Sequence, residues 1–299
     1  MTKFDRRAFL FKGAAGVACA SAISAVISQP LFAATKPATV DRVSLGNSGL
    51  KVPRIAFGTG TRGWKRESNQ THLGMKNFVD LSRYCYDRGI RFFDAADMYG
   101  SHTYVAEALK VLPREKITLL TKVMVYNQQG WYEKEPFSTS FDRFRKELGT
   151  DYFDIFLMHC MNNGQWSTEY KNHMDGLSEA KQKGLIKAVG VSCHSLDAMI
   201  DAASNPWVDV ILARINPNSI RMDGTPEKVM SVLETARKNG KGIIGMKIFG
   251  CGELIKEEER EQSLNYVIKS GNVHCMTLGL ESKEQVDDAV SRVMRIAGS

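Results

Sequence analysis

The 299-residue chain lacks several features, and each absence narrows what it can be. Its six cysteines form no C-x-x-C pair, so neither a zinc ribbon nor a thioredoxin-type redox site is indicated. One of them, Cys19, lies in the N-terminal leader, and the odd five that remain read as free thiols. There is no dense Lys/Arg tract interleaved with aromatics, which argues against nucleic-acid binding. What is present is ordinary for a globular protein: 43% hydrophobic and 24% charged residues, in a length that suits two medium domains or one large barrel. The formal charge is +7, but residues 1–33 carry four basic side chains (Lys3, Arg6, Arg7, Lys12) and one acidic (Asp5), so the body is only +4. That mildly basic balance favours a phosphorylated ligand.

The leader reads as a processing segment. Arg6-Arg7 precede Ala8-Phe9-Leu10-Phe11-Lys12, and an Ala/Gly/Ser/Val-rich run continues to Ile27. Gln29-Pro30 then break the run ahead of Leu31-Phe32-Ala33-Ala34, which offers small residues for cleavage. The pattern is that of a twin-arginine export signal over 1–33, followed by a linker over 34–42. Because the run is short and rich in small residues, no stable membrane span is expected after cleavage. Periplasmic export through the twin-arginine machinery is the expectation, with an uncleaved, membrane-anchored form as the alternative. A lipobox at Cys19 fits poorly, since Gly16 stands where a large aliphatic residue is needed.

From residue 43 onward the apolar pattern alternates between strand and helix. Val43-Ser44-Leu45 and Leu50-Lys51-Val52 flank Gly46-Asn47-Ser48-Gly49, a β-hairpin with a Gly/Asn turn. Strand-like runs follow at 55–57, 91–94, 118–122, 154–159, 188–192, 208–215, 242–246 and 276–279. Helical patterns lie at 76–87, 104–111, 141–148, 173–183, 196–204, 227–239, 261–269 and 282–296. Gly or Asn follows several of the helices, as at Arg88-Gly89 and Asn239-Gly240, and Ser282 with Gln285 resembles a capping box. Eight β–α pairs in strict order predict an α/β protein, a (β/α)₈ TIM barrel over 43–299 with the hairpin outside the count. An open doubly wound sheet is the rival, and would need a Gly-rich phosphate turn after its first strand. Gly58-Thr59-Gly60-Thr61-Arg62-Gly63 is a weak match, with no helix straight after it.

Three strand-like runs end in chemistry-bearing residues. Phe92-Phe93 run into Asp94, with Tyr99-Gly100 in the following loop; 118–122 ends in Lys122; 154–159 ends in His159. In a parallel barrel these ends share the rim where active sites form. The residue types suit proton transfer to a carbonyl oxygen. A phenol of pKa near ~10 is a weak acid at neutral pH, and a nearby ammonium lowers that value while a carboxylate holds the ammonium charged. Tyr99 would be the acid, Lys122 its tuner, Asp94 the partner of Lys122, and His159 the group that orients the carbonyl. Each residue alone also has a structural reading: Asp94 as a helix cap, Lys122 as a solvated strand end, Tyr99 as a packed ring.

On these motifs the sequence resembles the aldo-keto reductase family from about Val43 to Ile296. Asp94-Ala95-Ala96-Asp97-Met98-Tyr99-Gly100 is similar to the family's D-T-A-x-x-Y-G segment, and Asp154-Ile-Phe-Leu-Met-His159 to its D-L-y-L-i-H. Val189-Gly190-Val191-Ser192 is similar to its G-V-S-N run. The resemblance implies NAD(P)H-dependent reduction of an aldehyde or ketone, or the reverse alcohol oxidation, on a small molecule and without a metal. It also implies a cofactor site that includes Thr59, Ser192, Arg214, Met246, Lys247, Gly250 and Gln285.

The cofactor positions depart from the family pattern. Cys193 replaces the Asn after Ser192, Arg214 stands near the place of a carboxamide-binding Gln, and Met246-Lys247 replace an aromatic and a Ser. The NADP-binding Lys-Ser and Arg fall on Gly279-Leu280 and Gln285. NADP(H) is still expected ahead of NAD(H), with Lys247 and Lys283 as substitute cations. A binding or regulatory barrel with an altered dinucleotide site is the second reading. With few residues after the last helical pattern, a more open substrate mouth than in many relatives is expected, with Trp64 and Trp131 as candidate walls. His159-Cys160 and Cys193-His194 are too unpatterned to indicate a metal. His102 reads as loop or helix-start structure, and the charged run 256–261 as a solvated helix start.

Overall fold

The computed structural model describes residues 39–127 and 130–298. The export signal expected over 1–33 and the first part of the linker lie outside the described residues. The chain forms the expected hairpin, β1 (Arg42–Ser44) and β2 (Lys51–Pro53), paired antiparallel with Val43 opposite Val52. Eight parallel strands follow: β3 (Ile55–Gly58), β4 (Phe92–Asp94), β5 (Thr118–Met124), β6 (Phe153–Met161), β7 (Ile186–Cys193), β8 (Val210–Arg214), β9 (Gly242–Met246) and β10 (Cys275–Leu278). They close into a barrel, with β10 beside β3. The open doubly wound sheet is therefore excluded.

The helices between the strands include α1 (Asn69–His72) and α2 (Met75–Asp87) after β3, α3 (His102–Leu109) after β4, and α4 (Phe137–Leu148) after β5. The two short-and-long pairs are completed by α5 (Trp166–Glu169) and α6 (Lys171–Gln182) after β6. Then come α7 (Leu196–Ser204), α8 (Pro226–Lys238), α9 (Glu257–Lys269) and α10 (Lys283–Gly298). Among the described residues, no helix is long and apolar enough to cross a membrane.

Side-chain alternation builds two separate apolar layers. Phe93, Leu119, Val123, Phe156, Met158, Val191 and Ile211 face outward into the helix layer. Phe92, Leu120, Ile155, Leu157, Ala188, Leu212 and Ile244 face inward and fill the barrel. Leu45 and Val52 of the hairpin join the inner cluster, and Asn47 N–H bonds the Gly240 carbonyl at 2.8 Å, so the hairpin covers the N-terminal end. One step of two residues beyond Phe92, Leu120 and Leu157 stand Asp94, Lys122 and His159. The period of the pleat thus sends all three into the barrel at its other end.

Two boundaries differ from the sequence expectation in a way that matters. β5 and β6 run two residues past Lys122 and His159, because Met124 pairs with His159 and Met161 with Cys193. β6 is irregular between Met158 and Met161, where Cys160 adopts a left-handed backbone (φ 62°). The Cys160 N–H is held by Ser192 Oγ at 2.8 Å, and its carbonyl accepts from Tyr126 OH at 3.0 Å. A bulge re-aims side chains locally.

Candidate active site

Asp94 ends β4, and the chain then turns through a short 3₁₀ segment, Asp97–Tyr99, that carries Tyr99 back over the barrel. Gly100 stops the turn at φ 64°, where a Cβ would lie 1.9 Å from the Arg66 carbonyl oxygen. Only glycine meets both the backbone angle and the close approach. Gly60 and Gly63 flank the phenol ring so closely that a Cβ on either would stand 2.4–2.5 Å from ring carbons. The ring is therefore clamped by bare backbone.

Lys122 is fully buried, and its ammonium has three partners: Asp94 Oδ1, the Ala95 carbonyl at 3.0 Å and Tyr99 OH at 3.2 Å. Tyr99 OH also lies 3.5 Å from His159 Nε2, with the two rings edge-on. The four residues singled out from the sequence are thus brought to one point. Their electrostatics differ from the sequence expectation. Burial pushes the Tyr99 phenol well above its ordinary pKa, and the Asp94 carboxylate adds to the rise. Burial pulls Lys122 down, opposed by Asp94. Burial, then the Lys122 and His194 charges, hold His159 well below the usual imidazole value. The sequence argument expected Lys122 to acidify the phenol; in the fold, burial is the largest influence and raises the Tyr99 pKa while lowering that of His159.

Beneath this group lies a network that sequence reading missed. Arg143 donates to Asp97 at 2.9 and 3.0 Å and to Glu147 at 3.0 Å. His102 bridges Glu147 at 2.7 Å and Thr121 at 2.8 Å. Asp97, His102 and Glu147 are close enough to suggest a cation site, but the Arg143 guanidinium already lies between the carboxylates. The network fixes the Asp97–Tyr99 turn. His102 is thus a buried hydrogen-bonding residue at the start of α3, more than loop structure. A histidine that bonds only through tertiary contacts leaves no local sequence signal.

A cavity of about 590 Å³ opens beside the four residues and runs from Asp94 and Tyr99 to the first turns of α10. Of the seven residues expected to hold a cofactor, Met246, Lys247 and Gln285 line it. The other four are placed elsewhere. Thr59 turns its hydroxyl to the Asp94 carbonyl (2.8 Å) and Ser101 Oγ (2.7 Å), while its neighbours Gly60 and Thr61 line the cavity. Ser192 accepts from Cys160 N–H, and Arg214 pairs with Asp223 at 2.8 Å. Gly250 sits within the turn after β9, its N–H on the Lys247 carbonyl at 2.8 Å. Gly279 and Leu280, where the family's Lys-Ser falls, line it too, and unforeseen lining comes from Phe249, Thr277 and Glu281. Trp64 and Trp131 pack together at 4.9 Å between ring centroids, and Trp131 lies 5.5 Å from Tyr132. Trp131 and Tyr132 share an apolar cluster with Met98, Met124 and the Tyr99 ring.

Residues 54–298 match the model of the aldo/keto reductase family. The chain belongs to that family. Among curated proteins it is 26% identical to L-galactose dehydrogenase of Arabidopsis thaliana over 249 residues, 79% of this chain and 75% of that one. It is 25% identical to methylglyoxal reductase DkgB of Salmonella typhi over 205 residues, 68% and 70% of the two chains. The solved aldo-keto reductase AKR11C1 from Bacillus halodurans shares its fold, with a TM-score of 0.69, 20% identity, and 85% and 91% coverage. The protein is an NAD(P)-dependent oxidoreductase of a family that reduces carbonyls. Its cleft suits a nicotinamide dinucleotide: Met246 offers a polarizable thioether to a flat ring, and Thr277 Oγ1, buried at the wall, has no hydrogen-bond partner among the described residues.

Proposed function

We propose that this aldo/keto reductase reduces a small aldehyde or ketone, or oxidises the matching alcohol, with Tyr99 as the group that gives or takes the proton. The observation that carries the reading is the Tyr99 hydroxyl, 3.2 Å from Lys122 Nζ and 3.5 Å from His159 Nε2, on the wall of a cavity of about 590 Å³ that reaches α10. The chemistry a reduced nicotinamide brings is a hydride for the carbonyl carbon. Met246 and Thr277 would flank that ring, and Gln285, on α10, would meet the far half of the dinucleotide.

The chain's own groups do the rest. His159, neutral and buried, can donate a hydrogen bond from Nε2 to the substrate oxygen and fix its direction. Negative charge develops on that oxygen, and an alkoxide is far more basic than a phenolate, so even a phenol of raised pKa surrenders its proton. The phenolate left behind faces the Lys122 ammonium, which Asp94 keeps in place. Trp131, paired with Trp64, packs against the apolar cluster that holds the Tyr99 ring and backs the phenol from that side.

The pKa directions set an expected pH profile. Reduction needs the phenol, which stays protonated through neutral and mildly alkaline pH, so its kcat is flat there and shows no inflection near the free-imidazole pKa of about 6.5. Oxidation needs the phenolate, so its kcat climbs with pH and has not levelled by about pH 10. Steady-state rates in both directions, with NADH or NADPH and a panel of simple aldehydes and alcohols, check this. An oxidation rate that levels near neutrality would show an acidified phenol and overturn the burial argument.

The twin-arginine pattern of 1–33 adds periplasmic export to the proposal. Cell fractionation of the R6K/R7K variant is expected to find it retained in the cytoplasm, since the paired arginines are what the pathway reads. Undiminished periplasmic accumulation of that variant counts against export by this route. The second reading, a binding barrel, rests on Arg214 and Lys247 being bonded within the protein, and the titrations described next separate it from the enzyme.

A further inference from the structure

We propose that the cleft is built for a dinucleotide without a 2′-phosphate, NAD(H), an inference that rests on the dinucleotide-dependent reading above. A hydride donor has to lie beside Tyr99, so the adenosine half falls toward the loop after β10 and the start of α10, where barrels commonly hold phosphates. At that end the walls carry Glu281, Glu284 and Asp288. Asp288 is matched by Arg260 at 3.3 Å and Arg292 at 2.8 Å. Glu281 accepts only a neutral donor, Asn69 Nδ2 at 2.8 Å, and neither it nor Glu284 has an ion-pair partner among the described residues. Hydrogen bonding from Ser282 lowers the Glu284 pKa and keeps it ionised.

Neither cation that the sequence offered as a substitute phosphate clamp stands at the α10 end of the cleft: Lys283 faces away from it, and Lys247 lines it at the end of β9. Lys283 holds its ammonium 5.4 Å from the centre of the Tyr84 ring, on the side of α10 that meets α2. Lys247 lies near the barrel and donates to Cys251 Sγ at 3.0 Å. Arg260 reaches the cleft but is shared between Asp288 and the Ile255 carbonyl. A ribose 2′-hydroxyl can donate to a free carboxylate, whereas a phosphate at the same carbon would bring more negative charge against two uncompensated ones. Glu281 and Glu284 are therefore assigned as the residues that select NAD(H).

The test is titration of the full chain with NADH and NADPH, read by fluorescence or calorimetry so that turnover is not needed. NADH is expected to bind about tenfold or more tightly than NADPH. Replacing Glu284→Arg should raise NADPH affinity and weaken NADH, so that the ratio narrows from both sides. Equal binding of the two, or tighter NADPH, overturns the selectivity and leaves the enzyme reading intact. An unchanged ratio in the Arg variant removes Glu284 from the assignment. If neither nucleotide binds at millimolar concentration, the enzyme reading itself fails, and the inference with it.

Discussion

A Tyr99→Phe variant is expected to lose about 10²–10⁴-fold in kcat while binding its dinucleotide with unchanged affinity. Only one oxygen is removed. The ring remains clamped between Gly60 and Gly63, and Lys122 keeps Asp94 and the Ala95 carbonyl as partners. The fold therefore changes by no more than about 1 kcal/mol, the scale of a single hydrogen bond. What goes is the hydroxyl placed against both Lys122 and His159. Steady-state kinetics with a nucleotide titration on the same sample separate the two effects. Turnover within a few-fold of the wild type would mean that another group, or water, delivers the proton.

Lys122→Met has the larger expected effect on stability. The ammonium is fully buried between a carboxylate and a carbonyl, so its removal leaves Asp94 charged and unmatched inside the barrel. Breaking one side of such a pair costs about 3–5 kcal/mol, more than the pair contributes relative to an apolar replacement. Denaturant unfolding should show this loss, and the double variant Asp94→Asn with Lys122→Met should recover part of it, because the orphaned charge is then gone. A double variant less stable than Lys122→Met alone would show that the carboxylate is held by something other than the lysine. Activity is expected to fall in both variants, since the phenolate formed during reduction loses its counter-charge.

How much of this was readable beforehand differs from residue to residue. The inward positions of Asp94, Lys122 and His159 follow from counting by two from the apolar residues ahead of them, a rule that acts within one strand. The overrun of β5 and β6 did not disturb them, because extra pairing at a strand end leaves the alternation unchanged. Thr59 shows the opposite case. It follows Gly58 in a glycine-rich stretch that suggests a ligand loop, yet its hydroxyl is taken up by Ser101, 42 residues away. Arg214 likewise lies at a strand end as expected, but Asp223 in the following loop claims its guanidinium.

The direction of the Tyr99 pKa shift is not legible in the sequence for a related reason. The ammonium that lowers a phenol's pKa can be inferred from sequence, but the depth of burial that raises it cannot. Depth is the sum of everything packed around the ring, and here it dominates. Selection between the two dinucleotides is of the same kind. Lys283 and Glu284 are neighbours in sequence, and only the orientation of α10 puts one beside Tyr84 and the other on the cleft.

By itself the amino-acid sequence determined the alternation of strands and helices, the closed barrel, the family, and the four polar residues gathered at its mouth. These rest on short-range rules: the two-residue period of a strand, the apolar stripe of a helix, and a motif read within a few residues. Tertiary structure alone decided how burial shifts Tyr99, Lys122 and His159, which nearby cations are free to meet a phosphate, and the Asp97–Arg143–Glu147–His102 network that holds the turn. Those depend on desolvation and on partners distant in the chain, and both come into being only when the barrel closes.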